Sequence, residues 1–223
     1  MSSLAMGQTR EMRNKQILLT EYNSVLLKGA INFNSATNFT NRLLDLSASI
    51  RLTDTIYIVI DSPGGSIYAG LSLISAIQSI PQKIECISLF SASMAHALMQ
   101  ACPGKRYIDG NTGVSMIHRA RGGFFGQFNN GEVESQLKLW KGIVSGMEIR
   151  NSNRMNYSLA EYRKRSKDEW WCSGYKCVKE RFVDGLANIR CGKGLHRVKV
   201  KVNKNYYYSA CPLISGYMKY GSY

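Results

Sequence analysis

Two kinds of apolar pattern alternate along the chain. Short runs rich in β-branched residues, such as residues 55–61, are typical of strands buried on both faces of a parallel sheet. Other segments space their apolar residues as a helix does, and a single long helix is predicted from about Glu132 to Met155. This alternation of strands and helices predicts an α/β fold with a largely parallel sheet.

The same pattern divides the chain into three parts. Residues 1–15 are polar and are predicted to form a flexible N-terminus, whereas residues 16–190 carry the alternating strands and helices of one domain. Residues 191–223 form a basic C-terminal extension without a single acidic residue. Within this extension Val198, Val200 and Val202 share one face of a possible strand, which favours an added β-arm over a disordered tail.

A glycine pair ends one of the predicted strands. Ser62-Pro63-Gly64-Gly65-Ser66 follows the apolar run at 55–61 and precedes a predicted helix. Glycine lets the backbone approach a ligand closely, so the turn is a candidate binding element. A phosphate-binding loop and a plain tight turn are the alternatives, but no lysine follows at the spacing of a P-loop.

Ser93 stands at a second strand-to-helix corner. The apolar residues before it predict a buried strand, and the Ala-, Leu- and Met-rich residues after it predict a helix. A serine hydroxyl at a helix N-terminus lies beside free backbone N–H groups, which suits a nucleophile whose attack creates an oxyanion. The same placement also suits a simple helix N-cap, and the corner alone leaves both interpretations open.

A serine nucleophile needs a base, and the chain has three histidines. His118 ends the predicted strand at 113–118, where a parallel sheet presents functional side chains. His96 lies one helical turn beyond Ser93 and is expected to pack against a neighbour, and His196 falls in the basic extension. His118 is therefore the predicted base.

The formal net charge of +14 invites a nucleic-acid interpretation. The basic residues are spread out, however, and no helix-turn-helix, zinc-finger or aromatic-basic RNA motif accompanies them. An acidic partner or weak contact with polyanions fits better than sequence-specific binding. No run of eighteen apolar residues predicts a membrane span, and the N-terminus lacks the apolar stretch of a secretory signal, so we expect a cytoplasmic protein.

The six cysteines show no spacing that predicts a disulfide framework. Cys86 and Cys102 fall in apolar segments and are expected to behave as small hydrophobic residues. Cys172, Cys177, Cys191 and His196 offer a zinc site only at the loose end of ligand spacing, and no metal is predicted. The expected compartment is a reducing one.

Three motifs in order give the chain a resemblance to the Clp protease (ClpP) family of serine peptidases over roughly residues 20–190. Ser62-Pro63-Gly64-Gly65 is similar to the family's Ser-Pro-Gly-Gly turn, and Ala92-Ser93-Met94-Ala95 to its Ala-Ser-Met-Gly nucleophile motif. Met116-Ile117-His118, followed by a glycine-bearing loop, resembles its Met-Ile-His motif. The resemblance implies a spiral, crotonase-like fold of βαβ units in which the long helix is a handle.

The resemblance also implies roles for individual residues. Ser93 would be the nucleophile and His118 the base, and the N–H groups of Gly65 and Met94 would form the oxyanion hole. The family's acid is an aspartate, but alignment on Trp171 and Ser173 brings Glu169 to that position. Asp168, one residue earlier, is the alternate acid.

The implied function is hydrolysis of peptide bonds, without a cofactor, in peptides and unfolded proteins. In the family seven subunits form a ring, two stacked rings enclose a chamber, and an ATP-dependent AAA+ unfoldase delivers the substrate. The alternatives are a stand-alone peptidase without an unfoldase and a non-catalytic or crotonase-type binding subunit. Neither a membrane nor a nucleic acid is among the expected partners.

Overall fold

The computed structural model of the protein describes residues 14–122, 127, 129–196 and 210–213. Within these ranges the strands are β1 (Lys15–Leu19), β2 (Ser24–Lys28), β3 (Thr55–Ser62), β4 (Lys83–Ala92), β5 (Arg106–Asp109), β6 (Val114–His118), β7 (Glu169–Ser173) and β8 (Gly185–Cys191). The helices are α1 (Phe33–Ser49), α2 (Ile67–Ser79), α3 (Met94–Ala101), α4 (Asn130–Arg154), α5 (Leu159–Arg165), α6 (Gly174–Lys179) and α7 (Lys193–His196).

The strands form one mixed sheet in which parallel pairs dominate. Six strands lie side by side in the order β1-β8-β5-β4-β3-β2, and each neighbouring pair is parallel. β6 runs parallel to β4 and antiparallel to β7. The predicted α/β fold with a largely parallel sheet is therefore confirmed.

β4 forks the sheet near the Ser93 corner. Residues Cys86, Ile87 and Ser88 pair with β5, whereas Phe90, Ser91 and Ala92 pair with β6. The C-terminal end of β4 thus lies between β3 and β6, and it leads directly into Ser93. Because the strands are parallel, their carboxyl ends meet at this edge, as in other α/β sheets that bind ligands there.

Two apolar clusters flank the sheet. The larger one packs α1, α2 and α3 against β3 and β4, and the fully buried Leu43, Ile58 and Leu73 belong to it. The smaller one covers the opposite face and includes Leu195 and Cys211 from the C-terminal extension. The beginning and one later piece of that extension therefore contribute to the core. The β-arm predicted from Val198, Val200 and Val202 lies outside the described residues.

All six cysteines are disulfide-bonded, which corrects the expectation of packed thiols at Cys86 and Cys102. The pairs are Cys86–Cys102, Cys172–Cys177 and Cys191–Cys211. Sequence spacing did not indicate these pairs because two of them join residues that only the folded sheet brings together. The paired sulfurs are not available as zinc thiolates, and no group of three metal-ligating side chains occurs in the described ranges. Disulfides are characteristic of oxidising compartments, so the expected reducing environment does not agree with this finding.

The structure adds two strands that the apolar pattern did not predict. β5 has four residues and β7 has five, and β7 includes the charged, exposed Glu169 as its first residue. The long helix predicted from about Glu132 to Met155 is confirmed as α4. Among the described helices none is both long enough and apolar enough to cross a membrane.

Candidate active site

Ser93 adopts a backbone conformation that non-glycine residues rarely accept. Its φ is 56° and its ψ is −119°, at the N-cap position of α3. Such a conformation costs about 1–3 kcal/mol and persists only where the surrounding structure enforces it. The Ser93 side chain makes no capping hydrogen bond, so the structure does not support the interpretation of this serine as a simple N-cap.

The glycine turn packs directly against this corner. A Cβ atom on Gly64 would lie 2.6 Å from the Ala92 carbonyl oxygen and 2.8 Å from the Met94 nitrogen. Gly64 also has a φ of +91°, which an L side chain rarely adopts. Only glycine therefore lets the turn and the serine corner approach each other this closely.

Gly65 and Met94 both line the space beside Ser93, and their backbone N–H groups are the candidate oxyanion donors. Ile31 bridges the glycine turn by donating to the Gly64 carbonyl at 2.8 Å and accepting from the Ser66 N–H at 2.8 Å. The Gly65 N–H takes no part in that bridge. Met94 is the first residue of α3, so its N–H has no acceptor within the helix.

His118 holds one defined tautomer. Its Nδ1 lies 2.6 Å from the carbonyl oxygen of Arg119. Because a carbonyl oxygen only accepts, Nδ1 carries a proton and donates it, so Nε2 is the ring nitrogen that can accept a proton from a nucleophile. No hydrogen bond joins the Ser93 and His118 side chains, although catalytic contacts often tighten only when substrate binds.

A cavity of about 90 Å³ brings these groups together. Gly65, Ser93, Met94 and His118 all line it, together with apolar side chains from α2, α3 and α4. Arg121 adds a cationic side chain to the same cavity. The four residues that sequence reasoning singled out therefore surround one space large enough for a small group of a substrate.

The candidate acids differ in their relation to His118. Glu169 begins β7 and stands directly opposite His118 in the antiparallel ladder, whereas Asp168 precedes the strand. The Glu169 carboxylate nevertheless accepts a hydrogen bond from Trp171 Nε1 at 2.9 Å rather than from the histidine. Directly opposite residues have Cβ atoms about 5 Å apart. Rotation of the Glu169 side chain would therefore be enough to bring its carboxylate to His118.

His96 is fully buried, as the expectation that it packs against a neighbour requires. Its Nδ1 lies 3.1 Å from the Ser115 hydroxyl oxygen. Sequence reasoning did not single out Ser115, because no motif connects it to His96 across 19 positions. For His196 the structure describes only the backbone helix.

Comparison with known proteins identifies the family of the chain. The chain is similar to ATP-dependent Clp protease proteolytic subunit 1 of Leifsonia xyli subsp. xyli, with 35% identity over 117 residues. The match covers 52% of this chain and 58% of that relative, so it spans little more than half of either protein. A family model described as Clp protease matches residues 7–190, which include the glycine turn, the Ser93 corner and His118. The chain therefore belongs to the Clp protease family.

Proposed function

We propose that the protein is a serine endopeptidase that cleaves peptide bonds through an acyl-enzyme on Ser93. The observation that carries this proposal is the cavity at the corner. The cavity is lined by an uncapped serine in a strained conformation, by a histidine whose Nδ1 is bonded to a carbonyl, and by Gly65 and Met94, whose backbone N–H groups are the proposed oxyanion donors. This is the set of groups that acyl transfer to a serine requires.

Acylation begins when the Ser93 hydroxyl attacks the scissile carbonyl carbon. His118 Nε2 accepts the hydroxyl proton and then delivers it to the leaving amine. The N–H groups of Gly65 and Met94 donate to the developing oxyanion, where removing one such donor typically costs about 10²–10³-fold in rate. In the second half of the reaction, His118 activates a water molecule that hydrolyses the acyl-enzyme.

Glu169 is the proposed acid of the triad. Its carboxylate would replace the Arg119 carbonyl as the acceptor of the His118 Nδ1 proton, and it would stabilise the imidazolium formed during acylation. The cross-strand register supports Glu169 over Asp168 for this role. If the Arg119 carbonyl remains the acceptor of the His118 Nδ1 hydrogen bond throughout the reaction, the site works as a Ser93–His118 dyad.

The assembly is proposed to be a homo-oligomer of stacked heptameric rings that encloses the active sites. α4 supports this part of the proposal, because its exposed N-terminal half carries the apolar side chains of Val133, Leu137 and Leu139. Exposed apolar side chains on a projecting helix suit contact with another subunit. An AAA+ unfoldase would then deliver unfolded proteins to the chamber in an ATP-dependent manner.

Two alternatives keep the same fold. A stand-alone peptidase would use the same cavity on short peptides without an unfoldase, and the cationic Arg121 in the cavity would then favour acidic segments. A non-catalytic or crotonase-type binding subunit would retain the cavity but would not form an acyl-enzyme. The strained conformation of Ser93 argues against this second alternative, because strain of this kind clusters at active sites.

The decisive experiment labels the purified protein with a fluorophosphonate and identifies the modified residue by peptide mass spectrometry. We expect modification of Ser93 in the wild type and none in Ser93→Ala or His118→Ala. Peptide hydrolysis should fall by roughly 10³-fold or more in both variants, because the covalent step is lost. Ser79→Ala, at an exposed serine that ends α2, is the matched control and should behave as the wild type.

The double variant Ser93→Ala/His118→Ala should be little worse than either single variant, since the two residues act as a unit. If the loss of rate in the double variant equalled the product of the two single losses, Ser93 and His118 would not act in one mechanism. Sedimentation velocity tests the assembly separately: we expect a particle many times heavier than the 25.0 kDa subunit. A fully active monomer at every salt concentration would rule out the chamber but not the peptidase.

A further inference from the structure

A network of four buried polar side chains lies directly beneath the Ser93 corner. Ser88 Oγ donates to Ser91 Oγ at 2.7 Å, and Ser91 Oγ donates to Ser115 Oγ at 2.9 Å. His96 Nδ1 completes the network at 3.1 Å from Ser115 Oγ. None of the four residues exposes more than 1% of its surface, so this serine–histidine network is sealed from solvent.

The hydrogen bonds fix the protonation state of His96. Ser115 Oγ donates its single proton to the Ser91 carbonyl oxygen at 2.8 Å, so it accepts from its other neighbours. His96 Nδ1 must then carry a proton and donate it to Ser115. Its Nε2 has no partner among the described residues and is a bare nitrogen of a neutral ring. Burial, reinforced by the positive charge of Arg106, lowers the pKa of His96 to about 3 and keeps the ring neutral.

The network joins the elements that carry the proposed nucleophile and base. His96 lies in the first turn of α3, three residues after Ser93, and Ser115 lies on β6, three residues before His118. Ser91 and Ser115 are also paired in the ladder between β4 and β6. The bond between His96 and Ser115 therefore fixes the position of α3 relative to β6.

The ring of His96 extends this connection towards the proposed acid. It packs edge-on against Phe182 with 4.7 Å between ring centroids, and Phe182 packs edge-on against Trp170 at 4.8 Å. Trp170 follows Glu169 on β7. His96 is thus part of α3, bonds to β6 through Ser115, and reaches β7 through the single ring of Phe182. These are the three elements that carry or adjoin the residues of the proposed triad.

We propose that His96 is a positioning residue that, through Ser115, holds the Ser93 corner in register with the strand of His118. The inference rests on the proposed function of Ser93 and His118 and adds to it a second histidine that never contacts substrate. Ser93 needs such support, because its positive φ persists only where the surroundings enforce it. A displacement of about 1 Å between nucleophile and base can cost about 10²-fold in rate.

Three substitutions of His96 separate its hydrogen bond from its volume: His96→Asn, His96→Gln and His96→Leu. An asparagine side chain would present an amide N–H near the place of Nδ1, a glutamine would present one near Nε2, and a leucine would present none. We expect His96→Leu and His96→Gln to lower kcat and the rate of fluorophosphonate labelling by about 10- to 100-fold with little change in KM. His96→Asn should recover most of the lost rate.

Ser115→Ala removes the acceptor from the other side and should produce the same loss of kcat. The double variant His96→Leu/Ser115→Ala keeps the test informative if a single variant unfolds, because replacing both partners by apolar groups can be nearly neutral for stability. It should fold and remain slow. Gln82→Met is the matched control, since it deletes a different buried polar group, bonded to Ser47 at the opposite end of β4, and should leave kcat unchanged.

The possible outcomes distinguish failure of the proposed peptidase function from failure of the positioning role of His96. Wild-type protein that is not labelled at Ser93 would overturn the proposed function and this inference with it. Labelling of the wild type together with unchanged kcat in His96→Leu and Ser115→Ala would overturn the inference alone. Equal losses in His96→Asn and His96→Gln would also overturn it, because they would make volume rather than the Nδ1 donor the important property.

Discussion

The Ser93 corner and the β7 segment are two sides of one candidate site, and they are built in different ways. Ser93 is held by its neighbours' backbones: Gly64 packs on it, and its own N–H donates to the Met116 carbonyl at 3.0 Å. Glu169, by contrast, is exposed, and its carboxylate bonds to Trp171 two residues along the same strand. One side is set by main-chain geometry, and the other by the rotamer of a solvent-exposed side chain.

The difference indicates where the site is already organised for chemistry and where it is not. Oxyanion donors and a nucleophile must be preorganised, because their effect depends on costing no rearrangement during the reaction. An acid that only orients a histidine tolerates more freedom, since the Arg119 carbonyl can hold the same Nδ1 proton in its absence. We therefore expect kcat to fall with any change of shape at the Ser93 corner. At Glu169 we expect it to fall only when the charge of the side chain changes.

Gly64→Ala attacks the organised side and should have the largest effect. The new Cβ would collide with Ala92, Ser93 and Met94, so the nucleophile and an oxyanion donor move together. We expect kcat to fall by about 10³-fold in a peptide hydrolysis assay. Gly29→Ala is the matched control, because Gly29 also has a positive φ, of +78°, but its Cβ would meet nothing within 4 Å. That variant should lose stability and keep its kcat, and equal losses of kcat would refute the packing argument.

Glu169→Gln tests the exposed proposed acid, because it removes the negative charge and keeps the size of the side chain. If this carboxylate orients His118, kcat should fall by about 10²-fold or more while the fold and assembly survive. Asp168→Asn should cost no more than a few-fold, since Asp168 precedes the strand that faces His118. The reverse ranking would transfer the role to Asp168. Full activity in both variants would identify a dyad with the Arg119 carbonyl as the only partner of Nδ1.

A pH titration of stability sharpens the contrast between buried and exposed groups. His96 has a folded-state pKa of about 3 against an ordinary value of 6.5, so below pH 6.5 the unfolded chain binds one more proton than the folded one. This contribution to stability is complete above pH 6.5 and is lost as the pH falls towards 3. Between pH 7 and pH 5 the free energy of unfolding should fall by about 2 kcal/mol because of His96, provided only that its folded-state pKa lies below 5.

Urea unfolding of the wild type and of His96→Asn at both pH values measures this loss. The asparagine cannot titrate, so the variant should lose about 2 kcal/mol less than the wild type, while every other titrating group contributes equally to both proteins. Equal losses would mean that His96 is charged or solvated in the folded protein. That result would remove the neutral Nδ1 donor on which its positioning role depends.

The sequence predicted the organised side of the site better than the rest. The serine corner, the glycine turn and His118 each follow an apolar run, and the carboxyl ends of parallel strands meet at one edge, so their proximity follows from local patterns. The serine–histidine network was not predictable in this way. It depends on the pairing of Ser91 with Ser115, which the sheet register determines and no local pattern encodes.

The same reason explains the errors elsewhere in the chain. Cys86 and Cys102 are typical apolar-segment cysteines, and only the return of α3 alongside β4 brings them into bonding distance. β7 begins with Glu169 and alternates buried with exposed residues for only five positions, too few for a clear strand signal. The choice between Glu169 and Asp168 likewise rested on alignment alone until the ladder with β6 was known.

We expect the fork in β4 also to determine which part of the folded protein opens first. β6 and β7 form a two-stranded ribbon that joins the described sheet only through the three pairs at Phe90, Ser91 and Ala92. Opening of the ribbon would break those three pairs together with the Ser93–Met116 hydrogen bond and the His96–Ser115 contact, while the six-stranded path stays intact. We therefore expect β6 and β7 to act as one cooperative unit in local unfolding. Backbone amides on β6 and β7 should therefore exchange their hydrogens together, and sooner than the amides of β3. His118 and Glu169 would move as one body, and Ser93 would stay behind with the main sheet.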